Sequence, residues 1–121
     1  MKLCQLLLLP LFILIVGCAP TQKQIHQEAV ERRQAYVAAH PTLDTDTKWA
    51  ILEGKIGVGM TPEQVIASWG RPHDINRNVG SWGVNEQWVY GYMKFYDSGA
   101  RGFVSTHYLY FENGRLTSWQ D

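Results

Sequence analysis

A short apolar run near the start of the chain determines how much sequence is left to build a fold. The residues from Leu6 to Val16 are almost all aliphatic, and they span about 11 positions, within the range of about 7–15 for a secretory signal. A membrane-spanning helix needs about 20 apolar residues, and Pro10 interrupts this run. We therefore predict that residues 1–17 are a signal peptide. The mature chain of about 100 residues is enough for one small core.

Cys18 follows Ile15-Val16-Gly17 and closes the apolar run. This arrangement resembles the bacterial lipobox, whose cysteine becomes the lipidated N-terminus after cleavage; the alternative is a plain secretory signal with an incidental cysteine. Lipidation predicts attachment to a membrane through Cys18. Ala19, rather than Asp, follows the cysteine and favours the outer membrane of a Gram-negative envelope. Because Cys4 would leave with the signal and Cys18 would carry lipid, the mature domain would have no thiol for a disulfide.

The charge and the polar residues suggest neither nucleic-acid binding nor a recognisable enzyme. Eleven basic and eleven acidic residues give a formal net charge of zero, which indicates no nucleic-acid partner. The four histidines, His26, His40, His73 and His107, lack zinc-site spacing. No phosphate loop or nucleophile motif is present. We expect no metal, no cofactor and no catalytic residue.

Two polar pairs leave a weak alternative. Asp44 and Asp46 form a D-x-D pair that could bind calcium, but the other ligands of a calcium loop are missing. His73 and Asp74 beside Arg71 could form a polar site, although polar residues are expected just after a helix end in any case. We expect both pairs to be structural.

The first half of the mature chain predicts helices. Pro20–Gln24 is polar and predicts a tether, and Gln24–Ala39 predicts a helix that could be a stalk or could pack on the domain. A second, short helix is expected around Lys48–Gly54, with N-cap residues supplied by Asp44–Thr47. In and just after it, core spacing is shown by Trp49, Leu52 and Ile56.

The next helix, Thr61–Trp69, is specified at both ends. Thr61 is a good N-cap, Pro62 suits the first helical position, and Gln64 completes a capping box with Thr61. Gly70 is suited to the end of the helix, and Pro72 stops it.

After His73 the apolar periodicity changes to two, which predicts strands. Asn113-Gly114 is a strong signal for a two-residue hairpin turn. Gly91 is expected to bend the longest strand, and Asp97–Gly102 to form a loop. Helices followed by a meander predict an α+β fold, with N-terminal helices packed on one face of a three- to four-stranded antiparallel sheet. The expected strands are Asp74–Val79, Val84–Tyr96, Phe103–Phe111 and Arg115–Gln120.

The hairpin turn predicts which side chains share a face of the sheet. A regular register would pair Glu112 with Arg115, Phe111 with Leu116, Tyr110 with Thr117 and Tyr108 with Trp119. Leu109, Phe111 and Leu116 would then face the helices. On the other face, an aromatic surface would consist of Tyr108, Tyr110 and Trp119, a candidate site for a protein partner unless the N-terminal helix or the 97–102 loop covers it.

Three sets of residues resemble the motifs of a known family. They are Gly59-Met60-Thr61-x-x-Gln64-Val65 with Trp69-Gly70-x-Pro72, then Trp88-x-Tyr90, and then Leu109-x-Phe111-x-x-Gly114-x-Leu116. With the lipobox, they resemble the SmpA/OmlA, or BamE-like, outer-membrane lipoproteins. The resemblance implies short helices on an antiparallel sheet, as in β-lactamase-inhibitor-protein-like modules, and a non-enzymatic role. The predicted organisation is a signal peptide at 1–17, an anchor, tether and N-terminal helix at 18–46, and a BamE-like domain at 47–121.

Three functions remain open from the sequence. The first is a lipid-anchored envelope scaffold that binds another protein, in outer-membrane assembly or integrity. The second is an inhibitor-like module that binds a periplasmic or envelope enzyme through the aromatic surface. The third is a small hydrolase whose site matches no motif considered above.

Overall fold

A computed structural model describes Gly17 and residues 19–121 of the chain. The predicted signal peptide, apart from Gly17, and the predicted lipidation site Cys18 therefore lie outside the described residues. Within residues 19–121, three helices precede a four-stranded antiparallel sheet in the order β1-β2-β3-β4, which confirms the α+β fold. The elements are α1 (Gln22–Ala39), α2 (Thr45–Leu52), α3 (Pro62–Trp69), β1 (Asp74–Gly80), β2 (Gly83–Phe95), β3 (Arg101–Glu112) and β4 (Arg115–Gln120).

Helix α3 begins and ends as its sequence predicts. The Thr61 hydroxyl accepts a hydrogen bond from the Gln64 backbone N–H at 3.3 Å, and the Gln64 side chain accepts one from the Thr61 N–H at 3.0 Å. Together these bonds satisfy two of the N–H groups that a helix start leaves open. Gly70 then takes a φ of 86°, a conformation that costs glycine little.

Helix α1 starts two residues earlier than predicted, because Thr21 and Gln24 form the same capping box. It packs on the domain and is not a free stalk. Arg32 Nε donates to the Ala67 carbonyl at 3.1 Å, and Arg33 Nε donates to the Ser68 carbonyl at 2.9 Å. Both carbonyls lie in the last turn of α3, where a helix lacks partners of its own. Two arginines thus hold α1 against the C-terminal turn of α3, whose carbonyls lack intrahelical partners.

Helix α2 begins at Thr45, because the Asp44 carboxylate accepts the Thr47 N–H at 2.9 Å and so acts as the N-cap. The predicted start at Lys48 was three residues too late. The core residue of α2 is Ile51, which is fully buried, whereas Trp49 is 56% exposed. The prediction that Trp49 packs in the core was therefore wrong.

The hydrophobic core lies between the helices and one face of the sheet. It is formed by Ile51, Met60, Val65, Ala67, Trp88, Leu109, Phe111 and Leu116. A fully buried side chain of this size contributes about 1.5–3 kcal/mol relative to an exposed one. A pair of backbone bonds links the two layers: Gly59 N–H donates to the Leu116 carbonyl at 2.7 Å, and Leu116 N–H donates to the Met60 carbonyl at 2.8 Å.

The sheet contains two irregularities. In the β2–β3 pairing, Tyr90 lies opposite His107 but Gly91 lies opposite Ser105, so Thr106 is an extra residue. This bulge lies at the point where Gly91 was predicted to bend the strand. In the β3–β4 pairing, Phe111 lies opposite Leu116 but Tyr110 lies opposite Ser118, so Thr117 is an extra residue. The turn between β3 and β4 has positive φ at Asn113 (49°) and Gly114 (76°), as a type I′ turn requires.

Candidate binding surface

The side of the sheet that faces away from the helices is here called the outer face. Cross-strand partners project to the same side, so the register places Asn76, Gln87, Tyr110 and Ser118 in one row of this face. The next row contains Val89 and Tyr108. Helix α1 packs on α2 and α3 instead, and the 96–100 loop lies at the far end of β2 and β3. Within residues 19–121, no helix or loop packs on the outer face, although Val89 is buried there.

A line of side-chain hydrogen bonds crosses the outer face from one edge of the sheet to the other. Asn76 Nδ2 donates to Gln87 Oε1 at 3.1 Å, Gln87 Nε2 donates to the Tyr110 hydroxyl at 3.3 Å, and that hydroxyl donates to Gln120 Oε1 at 3.2 Å. Each strand contributes one residue. The mutual bonds fix the orientation of otherwise flexible amides, so the face presents an ordered polar surface.

A groove of about 380 Å³ lies on this part of the sheet, close to the turns that join β1 to β2 and β3 to β4. Amide and carboxylate groups and the half-buried ring of Tyr110 line it. Amides both donate and accept hydrogen bonds, and tyrosine adds apolar area with a polar tip. This combination can recognise the polar backbone and the apolar side chains of another protein. The groove is lined by Asn76, Asn78, Asn85, Gln87, Tyr110 and Glu112, whose register positions face outward, and by Arg77, Glu86 and Phe111, whose register positions face the helices.

The predicted aromatic surface is only partly assembled. Tyr108 and Tyr110 share the outer face, but Trp119 pairs with Leu109 rather than with Tyr108. The extra residue Thr117 shifts the register by one, and a shift of one residue moves a side chain to the opposite face. Trp119 therefore projects to the helix side at the sheet edge, where it is 40% exposed. The prediction that Trp119 joins the two tyrosines was wrong.

The motif residues serve the fold in the structure. Gly59 has a φ of 92°, and its carbonyl accepts a hydrogen bond from Arg115 at 3.0 Å. Met60 is buried in the core. Thr61 and Gln64 cap α3, Gly70 ends it and Gly114 completes the hairpin turn. Pro72 follows Gly70 in the segment that leads to β1.

The end of α3 forms a second, well-packed polar cluster. The Tyr90 hydroxyl donates to the Gly70 carbonyl at 2.8 Å, and burial raises the pKa of this hydroxyl far above its ordinary value. Trp69 Nε1 donates to the Gly54 carbonyl at 2.9 Å. Burial also lowers the pKa of the Arg32 guanidinium, with the nearby charge of Arg33 as a further cause. These groups are all satisfied, so the cluster joins α1, α3 and the sheet.

The residues weighed above as alternative sites have structural contacts. Asp44 caps α2, and the hydrogen bonds that it accepts at Thr47 lower the pKa of its carboxyl. His73 stacks on Phe103 with ring centroids 3.7 Å apart. His107 lies on the helix-facing side of the sheet and packs edge-on against Trp69, with ring centroids 5.1 Å apart. In the part of the chain that the structure describes, no three acidic, histidine or cysteine residues form a group that could hold a metal.

The amide row of the outer face is not among the sites predicted from the sequence. The alternation of each strand could have indicated this row, because Asn76 and Gln87 occupy positions that point away from the core.

None of the helices among the described residues has the length and apolar character needed to cross a bilayer. Comparison with models of known families, with curated proteins and with solved structures found no match for this chain.

Proposed function

We propose that this chain is a lipid-anchored protein of the bacterial envelope that binds another protein and catalyses no reaction. Cys18 would hold it to the outer membrane, on the periplasmic side. The observation that carries the proposal is the open outer face of the sheet. Three helices pack on one side only, and the other side presents two half-buried tyrosines and an ordered row of amides.

The chemistry of the outer face favours a protein partner. Tyrosine is common among the residues that dominate the energy of interfaces, and Tyr108 and Tyr110 project from the same strand on the same side. The amides are uncharged, and they offer donors and acceptors to a polypeptide backbone. The resemblance to the SmpA/OmlA family further supports a scaffold role in outer-membrane assembly or integrity.

The experiment is affinity capture with chemical crosslinking from the envelope of the source bacterium, using the full chain with a C-terminal tag. We expect Tyr110→Ala to lose the captured partner, because the substitution removes the ring that lines the groove. Ser118→Ala, in the same row but without a large side chain, is the matched control and should retain the partner. Far-ultraviolet circular dichroism should show both variants folded.

Trp119→Ala distinguishes the two faces of the sheet. If Trp119→Ala abolishes capture and Tyr110→Ala does not, the partner uses the helix side and the proposed surface is wrong. Recovery of subunits of a β-barrel assembly machine would support the scaffold role. Recovery of a single hydrolase that the bound chain inhibits would favour the inhibitor-like alternative.

The anchor is tested separately from the binding surface. We expect the full chain to incorporate labelled palmitate in cells and to sediment with outer membranes. Cys18→Ser should lose both properties. Unlabelled protein that is released as a soluble periplasmic form, despite an intact Cys18, would contradict the anchor without bearing on the outer face.

A further inference from the structure

Strands β2 and β3 extend well beyond the rest of the sheet. Pairing of β1 with β2 ends where Asp74 meets Val89, and pairing of β3 with β4 ends where Tyr108 meets Gln120. Residues 91–105, here called the arm, continue as a two-stranded hairpin. Among the described strands, none pairs with either edge of the arm.

The arm carries apolar side chains that the rest of the described chain leaves in solvent. Phe95 is 73% exposed, and the other large exposed residues are Tyr92, Met93 and Tyr96. An isolated two-stranded hairpin is marginally stable in water, and exposed apolar edges favour association. An exposed apolar segment of this kind is typical of a surface that contacts another molecule or a membrane in the functional protein.

The base of the arm is closely packed. Gly91 has no side chain, and a Cβ there would collide with the Val104 carbonyl and with the ring of Phe103. The absence of that atom lets Phe103 lie across β2 and stack on His73. This contact ties the arm to the segment before β1 and fixes the direction in which the arm projects.

The helices show which end of the domain the arm extends. Helix α3 starts beside β4, where Leu116 bonds to Met60, and ends beside Tyr90, at the base of the arm. Arg32 of α1 contacts this same end of α3, whereas Tyr36 and Glu63 lie together nearer the start of α3. Helix α1 therefore runs antiparallel to α3, and its N-terminus points toward the end of the domain that bears the arm.

The lengths of the two projecting segments agree. From Arg32 back to Gln22, α1 extends about 15 Å at about 1.5 Å per residue. From Gly91 to Phe95 the arm extends about 13 Å at about 3.3 Å per residue. The N-terminal end of α1, at Gln22, therefore projects by a length similar to that of the arm.

We propose that the arm contacts the phospholipid surface to which Cys18 anchors the chain, with Phe95, Met93 and Tyr96 in the headgroup region. This inference rests on the proposed lipid anchor. The arm carries two cations, Lys94 and Arg101, and one anion, Asp97, so its charge does not oppose an anionic lipid surface. Lys94 Nζ lies 5.3 Å from the centre of the Tyr96 ring, and aromatic rings with polar tips favour the membrane interface.

The test places a fluorescent label at each end of the sheet. Phe95→Cys in the arm and Trp82→Cys in the β1–β2 turn both replace an exposed aromatic residue, at 73% and 59% exposure. Each mature full chain is labelled with a thiol-reactive nitrobenzoxadiazole dye and reconstituted into phosphatidylethanolamine–phosphatidylglycerol vesicles. Lipids brominated near the headgroup then report proximity by quenching. We expect several-fold stronger quenching at residue 95 than at residue 82.

The controls separate the arm from the anchor. In the parent chain the Cys18 sulfur carries lipid, so the dye should not react with it. A parent chain that reacts with the dye and fails to bind vesicles contradicts the anchor. If the anchored chain shows equal or no quenching at both positions, the arm does not contact lipid although the anchor stands. Met93→Cys provides a second site if the residue-95 variant misfolds. Disulfide-linked dimers formed through residue 95 on the vesicles would assign the arm to a second copy and overturn the proposal.

Discussion

The contact that sets the orientation of the N-terminal helix can be tested with one substitution. Helix α1 has no fully buried residue, so its apolar packing alone holds it weakly. Arg33 supplies a charge-assisted hydrogen bond of 2.9 Å to the Ser68 carbonyl. Arg32 adds bonds of 3.1 Å and 3.4 Å to the Ala67 and Ser68 carbonyls. We expect Arg33→Met to loosen α1 while it keeps most of the apolar side-chain volume.

The magnitude follows from the bond that is lost. A hydrogen bond to a charged group contributes about 1.5–3 kcal/mol. Arg33 is only partly buried, and water can replace it at the carbonyl, so we expect a loss of about 1–2 kcal/mol in the free energy of unfolding. For a domain of this size the change corresponds to a decrease in Tm of roughly 5–10 °C.

Urea unfolding and hydrogen exchange measure the two consequences. Lys23→Met is the matched control, because it removes a cation from the exposed first turn of the same helix, where no bond to α3 exists. The Arg33→Met variant should lose stability and should exchange the α1 amides faster than the control. Equal unfolding midpoints for the two variants, with unchanged protection of α1, would refute the role given to the arginine contact.

Two further predictions concern single polar side chains. Ser68 is fully buried, and its hydroxyl donates to the Lys55 carbonyl at 2.6 Å. Ser68→Ala should lower the free energy of unfolding, measured in urea, by about 1–2 kcal/mol, a net value that includes a gain of about 0.5 kcal/mol in helix propensity. The same substitution at the exposed Ser118 should change the free energy of unfolding little. The lowered pKa of Asp44 means that its charge stabilises the fold above its ordinary pKa of 3.8, and that this contribution is lost as the pH falls below that value. Acid titration should therefore destabilise the parent more than Asp44→Asn, and parallel curves would contradict the link to the cap.

Local capping chemistry made the helices predictable from the sequence. Thr61 and Gln64 specify the start of α3, and the structure contains both bonds of that capping box. The same T-x-x-Q spacing occurs at Thr21 and Gln24 and specifies the start of α1 at Gln22, two residues before the predicted start at Gln24. The exposure of Trp49 shows what helical spacing cannot predict. The spacing identifies residues that share one side of a helix, but it does not determine which side packs against the sheet.

The register of the last hairpin could not be derived in the same way. The Asn113-Gly114 turn correctly pairs Phe111 with Leu116. Beyond that pair, Thr117 inserts into β4 and its hydroxyl donates to the Tyr110 carbonyl at 3.0 Å. Such a bulge depends on how the strand twists over the core. The sequence around Thr117 contains no local pattern that predicts this twist. The prediction that Tyr108 and Tyr110 share the outer face is therefore correct, whereas the prediction for Trp119 is wrong.

One orientation of the molecule satisfies both the proposed anchor and the proposed arm contact. With the N-terminus of α1 and the arm at the membrane, the strands would stand away from the bilayer and the outer face would be open to a partner from the side. Gln87, in the groove, lies eight residues from Phe95 along β2, or about 26 Å at about 3.3 Å per residue. The groove would then lie beyond the headgroup region, so a partner that binds there would need a domain that extends at least this far from the bilayer. A partner confined to the lipid could not reach Tyr110.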